Sequence, residues 1–143
     1  MSKPADLRLI CSSTQVVANE KAMEEWGNFP LERQKLFELI ETTKANGVIL
    51  LSGNVHYSEI SQTDEGSYPL TDFTSSGMTH SEPAYAELNN SRRIVGPFTG
   101  FNFGEISIAW DAPTGLEVTL TCRDADGRQQ FDHVVQVSNL RTE

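Results

Sequence analysis

Two short apolar runs, near the start and the middle of the chain, have the pattern of buried strands. Residues 48–51 read Val-Ile-Leu-Leu without a polar interruption, and the first two are β-branched. Such a run is typical of a strand buried on both faces, as in a parallel sheet. Residues 7–11 form a second apolar run in which Arg8 is the only charge. The pattern therefore predicts a first strand over 7–11 and a central strand over 48–51.

Between these two strands the apolar residues recur at helical spacing. The stripe consists of Leu36, Phe37, Leu39, Ile40 and Thr43. Pro30 suits the first position of a helix, where a backbone N–H would have no helical partner. Asn46-Gly47 is typical of a left-handed helix stop. The spacing predicts a helix over roughly 30–45, and the order strand, helix, strand predicts a βαβ crossover.

After the central strand the pattern changes from helical spacing to alternation. Residues 62–67 are polar and predict a turn, and residues 68–74 alternate and predict a strand. Pro69 near the start of that strand favours an edge position, because proline cannot donate to the ladder. Residues 75–81 form a polar loop that carries a glycine and a histidine.

From residue 94 onwards the pattern predicts only strands. Gly104 interrupts an apolar run and predicts a bulge, while 111–115 and 124–127 have the composition of turns. Residues 116–122 alternate strictly, with one apolar and one polar face. The residues predicted to face solvent on that strand are Glu117, Thr119 and Thr121.

Together the elements predict an α/β (α+β) fold in a single domain over 1–143, a βαβ unit followed by an antiparallel β meander. A chain of 143 residues is long enough to bury one core. The net charge of -9 argues against binding of nucleic acid or an anionic membrane, which would need a basic patch. A phosphate substrate is still compatible with this charge, because bound divalent cations can reverse the local electrostatic field. Cys11 and Cys122 lie in apolar segments and are predicted to be buried, reduced thiols.

Candidate chemistry follows directly after the central strand. Asn54 and His56 follow directly after Gly53. Because they are two residues apart, one local turn would direct both side chains at the same point. In open α/β sheets, ligands gather outside the carboxyl ends of strands. An imidazole nitrogen and an amide oxygen are both competent metal ligands. We therefore predict part of a metal site at Asn54 and His56; the alternative is a loop histidine that only makes hydrogen bonds.

Four stretches of the chain, taken in order, match the pattern of one known family. They are residues 4–15 (PADLRLICSSTQ), 24–33 (EEWGNFPLER), 51–60 (LSGNVHYSEI) and 74–80 (TSSGMTH). Together they resemble the C-terminal half of the PhoD-like alkaline phosphatases, within the calcineurin-like metallophosphoesterase superfamily. Members typically carry Gly-Asp-x-His, so Gly53 matches the glycine and His56 the metal-binding histidine. Asn54 replaces the usual aspartate, and its uncharged amide should hold a cation less tightly.

The resemblance implies half of a metallophosphoesterase-type β-sandwich flanked by helices, with a two-metal site at the strand ends. Two ions of the Fe, Ca, Zn or Mn class would polarise a phosphate ester and generate the attacking hydroxide. His56 would be a ligand, and His80 would contact substrate or a metal-bound water, or be a surface histidine. Glu59 would orient His56 or be solvated. Arg92 and Arg93 would bind phosphate or form an exposed basic pair.

The superfamily's earlier motifs, Asp-x-His, Gly-Asp-x-x-Asp and Gly-Asn-His, do not occur in these 143 residues. Because those motifs bring most ligands, we expect a fragment of a phosphoesterase that has no turnover alone. Its substrate class would be a phosphate-ester small molecule, and its partner the N-terminal half of the fold or a second copy. The alternative is a non-catalytic binding or oligomerisation module derived from that fold. A Ser-His-Asp hydrolase is not supported, because Gly-x-Ser-x-Gly does not occur.

Overall fold

A computed structural model describes residues 3–142, in which strands outnumber helices. The strands are β1 (Arg8–Cys11), β2 (Val48–Ser52), β3 (Ser58–Thr63), β4 (Leu70–Ser75), β5 (Arg93–Phe98), β6 (Asn102–Ala109), β7 (Glu117–Asp124) and β8 (Gln129–Gln136). The helices are α1 (Pro30–Thr42) and α2 (Pro83–Ala86), with 3-10 turns at Trp26–Asn28 and Val137–Asn139. None of these helices is long and apolar enough to cross a membrane.

The strands form two sheets. A five-stranded sheet has the order β1-β2-β4-β3-β5, and a three-stranded sheet has the order β6-β7-β8. β1, β2 and β4 run parallel, whereas β3 is antiparallel to β4 and β5, and the second sheet is antiparallel throughout. The predicted βαβ unit and the antiparallel meander are therefore confirmed, and the fold is mixed α/β with two sheets and few helices.

The sheets pack through β4. Phe73 points toward the second sheet, where the Cβ position of Gly104 lies 2.8 Å from its ring, so that only glycine leaves room for it. Asp72 points the opposite way and contacts the backbone of Val16 and Val17, in the segment that leads to α1. The core therefore lies on both faces of the five-stranded sheet, and β2 is buried on both, as predicted.

Helix α1 begins at Pro30, as predicted, and ends at Thr42, three residues before the predicted end. Lys44 and Gly47 adopt left-handed conformations, with φ of 48° and 69°, which turn the chain into β2. The buried face differs from the predicted stripe: Phe37 and Ile40 are buried, but Leu39 is 46% exposed.

The predicted edge position of 68–74 is wrong, because β4 lies between β2 and β3. Pro69 comes one residue before the first residue of β4, so its missing N–H lies outside the ladder and costs no hydrogen bond. The predicted turn over 62–67 is partly wrong as well, because β3 continues to Thr63.

The predicted bulge at Gly104 is also wrong. The register of β6 against β7 runs unbroken through Gly104, which faces Cys122, and the register shift falls instead between Cys122 and Arg123 against β8. Thr121 was predicted to face solvent but is 4% exposed. It lies on the middle strand between Glu105 and Asp132, whose longer side chains flank it.

The two cysteines have different environments, and both are free thiols. Cys122 is buried as predicted, whereas Cys11 is exposed, so that part of the prediction is wrong. The register pairs Cys11 with Leu51 and Leu51 with Phe73, which places all three on the face toward the second sheet. Cys11 is exposed there because β1 is an edge strand that the second sheet does not cover.

Candidate functional site

Three loops meet at the carboxyl ends of the parallel strands β1, β2 and β4. Gly53, after β2, lies between the other two loops: its Cβ position is 3.4 Å from Ser76 Cβ and 3.6 Å from the Ser13 carbonyl oxygen. The N–H of His56 donates to Ser76 Oγ at 3.0 Å, which ties the loop after β2 to the loop after β4. The candidate residues therefore lie at the sheet edge where open α/β folds bind ligands.

The loop that carries Asn54 and His56 has an unusual backbone. The two residues adopt left-handed conformations, with φ of 75° and 59°, although neither is glycine. Such conformations cost about 1–3 kcal/mol each and persist only when the surroundings fix them. Here the neighbours Val55 and Tyr57 are 1% and 0% exposed and anchor the loop on either side of His56.

The imidazole of His56 lies against His80. The ring centroids are 4.7 Å apart with the rings nearly perpendicular, and the Tyr85 ring follows at 6.0 Å. Nδ1 of His56 is buried and has no hydrogen-bond partner among residues 3–142. A buried polar atom without a partner is uncommon in proteins and suits contact with an ion or a ligand atom. The structure thus brings together the two histidines that the sequence placed in one site.

Asn54 points toward an acidic residue. Its side-chain Nδ2 donates to Glu24 Oε2 at 3.2 Å, which leaves the amide oxygen as the atom that would bind a cation. An amide oxygen and imidazole nitrogens are donors that transition metals accept, but the one side-chain hydrogen bond of Asn54 among the described residues is with Glu24. Within residues 3–142, no group of three or more His, Cys, Asp or Glu side chains is placed to hold a metal ion. The metal site at Asn54 and His56 stays a prediction.

Glu59 is neither solvated nor an orienting partner of His56. Its side chain is fully buried, and Oε1 accepts from Lys21 Nζ at 2.5 Å, Gln15 Nε2 at 2.8 Å and Asn90 Nδ2 at 2.9 Å. Oε2 pairs with Arg93. Burial opposes ionisation of Glu59, but the Lys21 ammonium and the donated hydrogen bonds outweigh it and hold the pKa below its ordinary value.

Lys21 is the centre of this buried polar cluster. Its Nζ donates to Gln15 Oε1 at 2.7 Å, to the Tyr57 hydroxyl and to Glu59 Oε1, which uses three donors, as many as a charged ammonium has. Burial lowers the pKa of Lys21 and raises that of Tyr57. The cluster joins the loop after β1 to the start of β3, directly beside His56.

Arg92 and Arg93 do not form an exposed basic pair. Arg93 pairs with Glu59 at 2.5 Å, and Arg92 pairs with Glu65 at 2.5 Å and with Glu20 at 3.6 Å. Both guanidinium groups are partly buried, and carboxylates neutralise them. The structure therefore does not present them as free cations for phosphate.

Asp72 is a further buried carboxyl group near the strand ends that the sequence did not single out. It accepts from the backbone N–H groups of Val16 and Val17 at 2.8 and 3.0 Å and from Ser52 Oγ at 2.6 Å. Burial raises its pKa. A polar residue in an alternating strand normally indicates a solvent face, and a lysine in a polar connection normally indicates a surface loop, so no local signal marks Asp72 or Lys21 as buried.

Comparison with solved structures supports the fold. The chain is similar to the structure of PhoD, with a TM-score of 0.57 and 12% sequence identity. The similarity covers 92% of this chain but 28% of the PhoD chain, so this chain spans less than a third of that protein's length. No protein-family model matches the sequence, and no curated protein matches it. At this identity the similarity shows a PhoD-like mixed α/β fold.

Proposed function

We propose that this chain is a phosphoesterase-related domain in which His56 and Asn54 form one side of a metal centre for phosphate-ester hydrolysis. The proposal depends most on the buried, unpartnered Nδ1 of His56, which lies on a strained loop at the shared strand edge. The PhoD-like fold is the second support. As part of this proposal, the chain corresponds to the C-terminal half of a PhoD-like metallophosphoesterase.

Each of the three candidate residues has a defined part in this proposal. Metal ions of the Fe, Ca, Zn or Mn class, when bound, would polarise a phosphoryl oxygen and supply a hydroxide nucleophile. His56 would bind a cation as a neutral imidazole, and its backbone, tied to Ser76, would fix the direction of the ring. His80, in contact with the His56 ring, would bind substrate or hold a water molecule. Asn54 would contribute its amide oxygen without charge, hence with weak affinity.

Further ligands would come from a partner segment equivalent to the N-terminal half of the fold, so we propose that the chain alone has no turnover. A strand added beside β1 and parallel to it would end at the same sheet edge as the loop that carries His56, one strand further out, since parallel strands share one carboxyl edge. A partner bound there would therefore bring its own strand-end residues to the candidate site.

The test measures metal binding and turnover on the same purified chain. Zn²⁺, Mn²⁺, Ca²⁺ and Fe³⁺ are titrated calorimetrically, and an aryl phosphomonoester and an aryl phosphodiester serve as substrates. We expect weak binding of a metal ion that His56→Ala abolishes and Asn54→Asp strengthens, without turnover. His133→Ala is the matched control, because His133 is a partly buried histidine on β8, in the second sheet.

Three outcomes would contradict the proposal. Binding that His56→Ala leaves unchanged, or no binding by the wild-type chain, would refute the metal centre at His56. Two metal ions per chain with turnover that His56→Ala abolishes would show that the chain builds a complete site, and the proposed inactivity would be wrong.

A second candidate function is a non-catalytic oligomerisation module, and the open sheet edges favour it. Among the described residues β1 pairs only with β2, and β6 pairs only with β7, so these two strands are unpaired edges, in addition to β5 and β8 at the opposite ends of the sheets. Leu9 is 40% exposed although its register partner Ile49 is fully buried on the same face. A groove of about 280 Å³ lies between the sheets; its apolar lining consists of Leu51, Phe73, Met78, Phe103 and Ile106. Unpaired edges beside apolar surface are typical of sites of strand addition.

A further inference from the structure

Lys21 makes its contacts far from its own segment. It lies in the connection between β1 and α1, yet its ammonium group reaches Tyr57 and Glu59 at the start of β3. Its side chain is fully buried, and Nζ also lies 5.1 Å from the centre of the Tyr57 ring. The ammonium group of Lys21 is therefore fully desolvated. All three of its hydrogen-bond donors are used within the cluster.

Tyr57 is the residue that transmits this contact to His56. It follows His56 directly, is fully buried, and its carbonyl oxygen accepts from the backbone N–H of Ser76 at 3.3 Å. His56 itself donates to Ser76 Oγ at 3.0 Å, and its carbonyl oxygen accepts from Glu82 N–H at 3.4 Å. The left-handed conformation of His56 is therefore held on one side by Ser76 and on the other by the anchored Tyr57 side chain.

We infer that Lys21 is a positioning residue for His56: by holding the Tyr57 hydroxyl, it keeps the His56 backbone left-handed and the His56 ring against His80. The geometric part of this inference needs no metal. Its meaning for a phosphoesterase rests on the proposed function, in which His56 is a ligand.

The energetics of buried ion pairs favour a positioning role over a purely stabilising one. The desolvation of two charges offsets much of their attraction, so apolar residues of similar volume often replace such pairs without loss of stability. In the variant Lys21→Met, Glu59 keeps Arg93, Gln15, Asn90 and the Tyr57 hydroxyl as partners. The buried Glu25, which accepts from the Lys21 backbone N–H, loses the nearby ammonium charge. The Tyr57 hydroxyl loses its donor Lys21 and keeps the longer hydrogen bond that it donates to Glu59 Oε1 at 3.3 Å.

The experiment compares Lys21→Met and Tyr57→Phe with the wild-type chain by NMR, in metal-free buffer at one fixed pH. Tyr57→Phe removes one hydroxyl and keeps the Lys21–Glu59 pair, so it tests the inference even if Lys21→Met does not fold. The matched control is Tyr68→Phe, which removes a buried hydroxyl that donates to the Ala45 carbonyl oxygen, beside the start of β2. The measured quantities are the His56 backbone carbon shifts, the nuclear Overhauser effect between the His56 and His80 rings, and urea unfolding.

We expect both test variants to lose the His56–His80 Overhauser effect and to shift the His56 backbone signals, while Tyr68→Phe changes neither. Where the wild-type chain binds metal, its affinity should fall about 10- to 100-fold in both test variants, as for other residues that orient a ligand. Unchanged His56 signals in Tyr57→Phe, or equal changes in Tyr68→Phe, would refute the inference. A wild-type chain that binds no metal would refute the proposed function and leave the NMR result valid.

Discussion

At the residue scale, Gly47 makes one of the closest backbone contacts in the described chain. It adopts a φ of 69°, and a Cβ atom there would lie 2.1 Å from the Asp6 carbonyl oxygen. Its N–H donates to the Leu140 carbonyl oxygen and its own carbonyl accepts from Arg8, so it joins β1, β2 and the C-terminal segment. No side chain fits at this point without separating those segments.

We therefore expect Gly47→Ala to lower the free energy of unfolding by about 3 kcal/mol or more, as substitutions that force a backbone shift do. The matched control is Gly127→Ala. Gly127 has a similar φ of 79°, but no atom lies within 4 Å of its Cβ position. That variant should lose only the conformational term of about 1–2 kcal/mol. Urea denaturation measures both, and equal losses would show that the contact with Asp6 contributes nothing.

A second prediction at this scale concerns acid stability and Glu65. Hydrogen bonds from Arg33, and secondarily from Arg92, lower the pKa of Glu65 from 4.5 to about 2. Because the folded pKa lies below the unfolded value, Glu65 stabilises the fold above about pH 4.5, and this contribution disappears as the pH falls towards 2. The carboxylate is 40% exposed, so solvent screening limits the gain to about 1 kcal/mol.

Glu65→Gln should accordingly be less stable than wild type at pH 7 and equally stable near pH 2, as measured by urea unfolding at both pH values. Glu32→Gln is the control, because Glu32 pairs with Lys35 in an ion pair more than 60% exposed on both sides. A difference for Glu65→Gln that does not change with pH would mean that ionisation of Glu65 is not its source.

The sequence predicted some of the site residues and missed others for a physical reason. Asn54 and His56 were found because a strand end is a local pattern, and the structure puts His56 where that pattern predicts. Lys21 and Glu59 were not recognised as buried, because each charge is compensated by a partner distant in sequence. Burial of a charge depends on the tertiary partner, which no local periodicity encodes.

At the element scale, α1 shows which part of an apolar stripe reaches the core. The predicted stripe was wider than the buried face, since Ile40 is 2% exposed and Leu39 is 46% exposed. Ile40→Ala should therefore cost about 2–4 kcal/mol, through lost burial and the cavity it leaves. Leu39→Ala should stay within about 0.5 kcal/mol of wild type. Similar losses of unfolding free energy for the two variants in urea would contradict this assignment of the buried face of α1.

Strand order was the element-scale feature that the sequence did not reveal. The alternating pattern located β4, but the sequence analysis predicted no strand at β3 and so could not show that β3 pairs between β4 and β5. Pro69 suggested an edge strand only because a proline inside a ladder removes a hydrogen bond, and here it lies one residue outside. The edge-strand prediction therefore failed because the start of β4 lies one residue after Pro69, and the ends of elements are what a sequence pattern defines least well.

At the scale of the whole molecule, the two sheets differ in width on one side. The five-stranded sheet extends beyond the three-stranded one at β1. On the face of β1 that points toward the second sheet, Leu9 and Cys11 are therefore exposed to solvent. The unpaired edge strand β6 borders the groove at Phe103, and on the other side the groove is lined by Leu51 of β2, the neighbour of the edge strand β1. A segment that adds strands at this side would cover the apolar face and place its own strand ends at the same sheet edge as His56. The same surface thus serves either candidate function, and only its occupant differs.

The oligomerisation hypothesis makes a prediction about that surface. If a second copy covers it, the wild-type chain should associate as its concentration rises, and Leu9→Lys should weaken the association at least tenfold by placing a charge on the inner face. Leu31→Lys is the control, since Leu31 is 71% exposed on α1 and does not line the groove. Sedimentation velocity over a range of concentrations measures both variants. A wild-type chain that stays monomeric at every concentration would contradict self-association and favour a different polypeptide, such as the proposed N-terminal half, as the occupant of these edges.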